Sequence, residues 1–188
     1  LRLKQEHFFV SATLQDAVHR HLKENGDDPR SLVSLPDRAV FQLNDTHPAL
    51  AVAELMRLLL DDYGFEWDAA WTTTKNAFAY TNHTILPEAL EQWPVDLLAE
   101  LLPRHLQIIY EINRRFLDEV AAAFPGDGDR QRRMSLVAEG SVRSIRMAHL
   151  AIVGSRSVNG VSALHSDIVK SRLFGDFHAM MPSHFNNK

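Results

Sequence analysis

Ala39-Val40-Phe41-Gln42-Leu43-Asn44-Asp45-Thr46-His47-Pro48 is an apolar run of strand length that ends in a polar turn. A second segment, Phe78-Ala79-Tyr80-Thr81-Asn82-His83-Thr84, repeats the pattern. Each puts His beside Asn and Thr, and the first adds an Asp. In an open α/β sheet, ligands bind outside the carboxyl ends of strands, where loops turn into helices. Two such turns in one sheet converge on one crevice. The pair therefore predicts both the fold class and the site.

Outward from these segments the pattern is mostly helical. Leu3, Val10, Leu14 and Val18 recur near the helical period, which predicts an amphipathic helix to about Leu22. Asn25-Gly26-Asp27-Asp28-Pro29 reads as a turn. Ala39 to Leu43 is expected to be a short buried strand. Pro48 then suits the first turn of a helix capped by Asp45 or Thr46, with Leu50, Leu55, Leu58 and Leu59 facing the core and Gly64 ending it. Asp68 to Asn76 is helical and feeds a strand near Phe78 to Thr81. Pro103 to about Phe124 is expected to be the longest helix, stopped by Pro125-Gly126-Asp127-Gly128. Two short strands are expected around Glu139-Gly140, then a helix from Met147. Ser157 to Val161 reads as a strand or a tight turn, and Ser162 begins another helix. Helices outweigh strands, as in a layered α/β domain.

The chain has 188 residues, enough for one domain or one large piece of a domain. A net charge of −4 argues against a generic nucleic-acid binder with a strongly basic surface. No apolar run approaches the roughly 18 to 20 residues of a membrane span. Leu1 to Glu6 lacks the apolar core of a secretory signal. With no cysteine there is no disulfide framework or thiolate metal site, which fits a reducing compartment. The start at Leu1, on helix-like sequence, suggests a piece cut from a longer chain.

Among the 10 histidines, His47, His83 and His165 stand out because each lies at a strand-to-helix junction. Imidazole donates or accepts hydrogen bonds, as sugar hydroxyls require. Asp45 can accept a hydroxyl proton or orient His47; the plainer reading is that Asp45 and Thr46 only cap a helix. His7, His19, His21, His105 and His149 are expected to be structural. A metal-dependent hydrolase using His47, His83 and His165 is a rival reading, without HExxH or another specific zinc spacing. The sequence has no GxSxG, GxGxxG or Walker A motif.

Leu1-Arg2-Leu3-Lys4-Gln5-Glu6, Gln42 to Pro48, Ala79 to Thr84, Leu86-Pro87-Glu88-Ala89-Leu90-Glu91 and Leu102-Pro103-Arg104-His105 resemble the glycogen phosphorylases of the α-glucan phosphorylase family. So do Phe124 to Asp127, Val158 to Val161 and His184 to Lys188, in order and spacing along the whole chain. Leu106 to Asn113 resembles the animal-type, glycogen-degrading branch most. The resemblance implies a helix-rich, Rossmann-like layered domain, part of a two-domain GT-B glycosyltransferase. Residues 1–188 would be the second part of its N-terminal domain. It implies a cytoplasmic, homodimeric parent that cleaves terminal α-1,4 links of glycogen with inorganic phosphate, giving glucose 1-phosphate. Its cofactor, pyridoxal phosphate, would be held by a lysine outside this chain and act as an acid–base relay; no metal is implied. Asp45, His47, His83, Asn159 and Val161 match positions of the sugar site, and His83 matches the residue whose carbonyl faces the reacting sugar. His19 and Arg20 stand where regulated members carry two arginines for AMP, so AMP control is expected to be weaker. The fragment alone is expected to be inactive, at most a binding or folding unit. It is also expected to self-associate through its first helix and through Phe174, Phe177, Met180 and Met181.

Overall fold

The computed structural model describes residues 1–187. Helix α1 is Arg2–Glu24, α2 is Leu35–Arg38 and strand β1 is Phe41–Asn44. Then come α3 (Ala51–Arg57), α4 (Trp67–Ala77), β2 (Phe78–Thr81), β3 (Gln92–Pro94), α5 (Val95–Leu101) and α6 (Pro103–Ala123). The rest is α7 (Gly128–Met134), β4 (Val137–Ala138), β5 (Ser144–Arg146), α8 (Met147–Val153), β6 (Val158–Asn159), α9 (Ala163–Ile168), α10 (Gly175–Met180) and β7 (Phe185–Asn186). Helices dominate, as the sequence predicts. No helix among the described residues is long and apolar enough to cross a membrane.

Four strands form a parallel sheet in the order β1-β2-β6-β7. Parallel neighbours need crossover connections, and the intervening helices supply them. The order never reverses, so these four strands contain no topological switch point. A second, antiparallel sheet has the order β3-β5-β4. Strand β2 is the buried centre, with Phe78, Ala79 and Tyr80 all buried.

Three expectations about secondary structure need correction. Strand β1 is not buried: Leu43 alone of its four residues is enclosed, because β1 lies at the edge of the sheet. The following helix starts at Ala51, not Pro48, and neither Asp45 nor Thr46 caps it. Asp45 sits at φ 62°, and its Oδ1 accepts the N–H of Thr46 at 2.8 Å. A short carboxylate tolerates this left-handed geometry and satisfies backbone locally, so residues 47–50 form turns before the helix can begin. The longest described helix is α1 with 23 residues, against 21 for α6. It runs on until Gly26 and Asp27 adopt positive φ.

Leu3, Val10, Leu14 and Val18 of α1 are all buried, as their spacing predicts. Helix α1 packs on α3, and α3 packs on α6. One carboxylate ties these helices together. Glu54 of α3 is fully buried and accepts from Ser11 of α1 at 2.7 Å, from His105 of α6 at 2.6 Å and from Arg57 at 2.9 Å. Burial opposes the charge, but the donors from His105, His7, Arg57 and Ser11 hold the carboxyl well below its ordinary range. Phe174 and Phe177 are also core residues, 2% and 3% exposed. They are therefore not the uncovered surface that the sequence suggests. Phe177 stacks on Phe116 with ring centroids 5.8 Å apart.

His149 of α8 lies edge-on to Phe177, with centroids 4.8 Å apart, and its Nδ1 is 3.0 Å from the Ser135 carbonyl. Burial, then the charge of Arg146, pushes its pKa down to about 4 from 6.5. The unfolded chain therefore binds the proton first. The neutral ring's contribution is complete above pH 6.5 and is lost as pH falls towards 4. His149→Gln should flatten this dependence by on the order of 2 kcal/mol, allowing for partial exposure of the ring. Urea midpoints at neutral and acid pH measure it; an equal acid loss in both proteins would exclude His149 as its source.

Candidate functional site

The register of the parallel sheet aligns the strand ends. Asn44 pairs with Thr81, Thr81 with Asn159, and Asn159 with Asn186. Four polar residues from distant parts of the chain thus form one row across the carboxyl edge. The row is hydrogen-bonded: Thr81 Oγ1 donates to Asn159 Oδ1 at 3.1 Å and accepts from Gln42 Nε2 at 2.8 Å. The backbone continues it, with Asp45 N–H donating to Thr81 O and Asn82 N–H to Asn159 O, both at 2.9 Å. Each strand therefore fixes where its neighbour's loop departs.

These loops carry the residues singled out in the sequence. His83 is exposed, and its Nε2 lies 2.5 Å from Asn44 Oδ1, so the two quoted turns touch. Beneath it, Asn82 is fully buried; its Nδ2 donates to the Tyr80 hydroxyl at 3.0 Å, and its Oδ1 accepts from Thr84 N–H at 3.1 Å. Burial raises the pKa of the Tyr80 phenol. Asp45 is half-buried and His47 is exposed, one residue to either side of buried Thr46. Asp45 uses Oδ1 on its neighbour's N–H, and its Oδ2 accepts no hydrogen bond among the described residues. Asn159 is half-buried, with its Nδ2 on Gly160 O at 2.8 Å. Val161 is 55% exposed, and its N–H donates to His165 Nδ1 at 3.1 Å. His165 Nε2 reaches Thr84 O at 3.2 Å, which ties the β6 turn to the β2 turn. The face is open and carries acceptors, imidazoles and one apolar side chain, a set suited to polyhydroxylated ligands.

Sequence reasoning missed the support beneath this face. Glu91 accepts from Arg2 Nη2 at 2.7 Å and from Thr46 Oγ1 at 3.1 Å. Arg2 Nε also donates to Glu6 at 3.0 Å. Burial and then the Glu91 charge raise the pKa of Glu6. Arg2, Glu6 and Glu91 all lie in quoted segments, but no spacing rule joins residues 89 positions apart.

One group of three His, Asp or Glu residues among the described residues could hold a metal: His7, Glu54 and His105. It is not the expected set of His47, His83 and His165. Arg57 Nε already donates to the same Glu54 oxygen at 2.9 Å, placing a fixed positive charge where an ion would sit. The group is an ion-pair network that joins helices. His19 and Arg20 are exposed on α1, with Arg20 paired to Asp16. Arg20 and Arg38 line a cavity of about 260 Å³ next to Phe41.

The family model for carbohydrate phosphorylase matches residues 1–188. The muscle form of glycogen phosphorylase from Mus musculus is 59% identical over 192 aligned positions, covering 100% of this chain and 23% of that protein. The Homo sapiens muscle form gives the same 59% and 23%, and the Ovis aries liver form is 57% identical over the same 23%. The chain thus spans 23% of the length of these curated relatives.

Gly160 marks the tightest point of the face. A Cβ there would lie 2.8 Å from Ser166 N and would collide with His165 Nδ1. Gly160→Ala should displace His165 and destabilise the chain by about 1–3 kcal/mol, the usual cost of overpacking. The amide resonance of Val161, bonded to His165, should shift with it. An unmoved Val161 amide and an unchanged urea midpoint would mean that the turn has room to spare.

Proposed function

The chain belongs to the carbohydrate phosphorylase family, and on that premise we propose that the protein containing it is a glycogen phosphorylase. It would transfer the terminal α-1,4-linked glucosyl unit of glycogen to inorganic phosphate, releasing glucose 1-phosphate. The observation that carries this reading is the family match over all 188 residues. The polar row at the carboxyl edge of the sheet supports it independently.

In this reading residues 1–188 are the second part of the N-terminal domain of a GT-B enzyme and supply one wall of the sugar cleft. The complete enzyme is a cytoplasmic homodimer. His83 is the residue nearest the chemistry. Its backbone carbonyl and side chain face the reacting sugar, where a carbonyl dipole stabilises positive charge developing on the ring. Asp45 and His47 receive sugar hydroxyls on one side, and Asn159 and Val161 line the pocket on the other. The exposure of His83 and its contact with Asn44 favour this assignment. The bond formed is between a phosphate oxygen and the anomeric carbon, and the bond broken is the glycosidic C–O.

Pyridoxal phosphate belongs elsewhere in the protein. Of the described lysines, Lys4 and Lys23 are exposed, Lys75 lies 5.4 Å over the Trp71 ring and Lys170 pairs with Asp167 at 2.9 Å. Lys75 also lines a cavity beside Trp67 and Trp71 of about 40 Å³, too small for a pyridoxal ring. The described residues of this chain do not fit the cofactor. AMP would meet His19 and Arg20 in place of the two arginines of regulated members, and Arg20 is already paired with Asp16, so its effect is weaker.

Two measurements test the proposal. The 188-residue chain alone should release no glucose 1-phosphate from glycogen and phosphate. Positioning two reactants supplies about 7 to 11 kcal/mol in favourable cases, and one wall of a cleft cannot position them. In the complete protein, turnover is expected, and His83→Ala should lower kcat/KM by about one to three orders of magnitude, at about 1.4 kcal/mol per tenfold. A complete protein without phosphorolysis would overturn the function. Unchanged kinetics in a folded His83→Ala protein would return His83 to a structural role.

A further inference from the structure

We propose that Arg2 and Glu91 are positioning residues for the sugar-facing turn, acting through Thr46 to hold Asp45 and His47 in place. The inference rests on the phosphorylase reading and adds to it two residues that touch no substrate.

The turn needs an external hold. Asp45 has φ 62°, a conformation that residues other than glycine keep when their surroundings over-determine it. On one side the surroundings are the sheet, through Asp45 N–H to Thr81 O at 2.9 Å. On the other side the hold is Thr46, 3% exposed, whose hydroxyl donates to Glu91 Oε2 at 3.1 Å. Glu91 is itself anchored twice. Its Oε1 accepts from Arg2 Nη2 at 2.7 Å, and its carbonyl accepts from Met147 N–H at 3.1 Å. The path runs from α1 through a salt bridge to the start of the second sheet, and from there to the turn after β1.

The chemistry of the path suits positioning. The Glu91 side chain is 11% exposed, so its charge needs the guanidinium. A carboxylate so held has one oxygen free for the threonine. Without Arg2, Glu91 would turn to water and release Thr46, and Asp45 could relax from its left-handed geometry. His47 follows Thr46 directly, so both sugar-facing side chains would move together. Glu6 shares Arg2 through Oε1, while its Oε2 is buried and has no hydrogen-bond partner among the described residues. One guanidinium therefore serves two carboxylates, Glu6 through Nε and Glu91 through Nη2.

The test is a kinetic double-mutant cycle in the complete protein, assayed by phosphorolysis of glycogen. Thr46→Val keeps the shape and removes the donor; Glu91→Gln keeps the size and removes the charge. Each should lower kcat/KM for the glucan by about ten- to a hundredfold, and the double variant should be no worse than the poorer single one, because both break the same link. KM for inorganic phosphate should not change. Thr46→Ser, which restores the hydroxyl, should stay within about threefold of wild type, consistent with rescue of one hydrogen bond. Arg2→Met, at a side chain 58% exposed, should show the same split between glucan and phosphate without disturbing the core. Additive losses, equal losses for both substrates, or Thr46→Val and Arg2→Met at wild-type rates would overturn the proposal. A wild-type protein without phosphorolysis would instead remove the functional reading, and this inference with it.

Discussion

The in-register parallel pairing of β2 with strands on both sides is the constraint on which the rest depends. Because Asn44, Thr81, Asn159 and Asn186 fall in one row, every loop that leaves the sheet starts at the same height. A slip of one residue in β1 or β6 would turn each side chain to the other face of the sheet. It would also part His83 from Asn44. Phe78 and Tyr80, both fully buried, oppose a slip of β2, since it would drive two of the largest core side chains into the space packed around Ala79. The apolar face of the sheet thus fixes the geometry of its polar edge.

Polar burial is handled by converging donors. Glu54 gathers Ser11, Arg57 and His105 from three helices, and Glu91 gathers Arg2 and Thr46 from a helix and a turn. A buried charge costs several kcal/mol unless it is paired and fully hydrogen-bonded. Such carboxylates tolerate little displacement of their partners. One of these clusters holds helices in place, and the other lies directly beneath the candidate sugar face. The first also has the ligand types of a metal site, but its arginine makes it an ion-pair network.

The chain covers 23% of its relatives' length. His47, His83 and Val161 are exposed at the sheet edge. Of the apolar residues expected to be uncovered at the far end of the chain, Phe174 and Phe177 are core residues while Met180 and Met181 are half-buried, and Phe8 and Phe9 of α1 are the exposed aromatics.

The sequence by itself determined the helix-rich α/β class, most element positions and the two His-bearing turns, because periodicity, Gly and Pro stops and polar strand ends are local signals. Strand β2 falls on its expected residues, and Leu3, Val10, Leu14 and Val18 are buried as their spacing requires. Family resemblance singled out Asp45, His47, His83, Asn159 and Val161 in the same local segments. Tertiary structure alone decided that β1 is an edge strand, that Asp45 takes a positive φ instead of capping a helix, and that Glu91 and Arg2 meet. Edge position depends on strand order, which no local pattern encodes. The conformation of Asp45 depends on bonds to Thr81 and, through Thr46, to Glu91, residues tens of positions away. The Arg2–Glu91 pair joins positions that only the packing of α1 against the turn after β1 brings within hydrogen-bond reach.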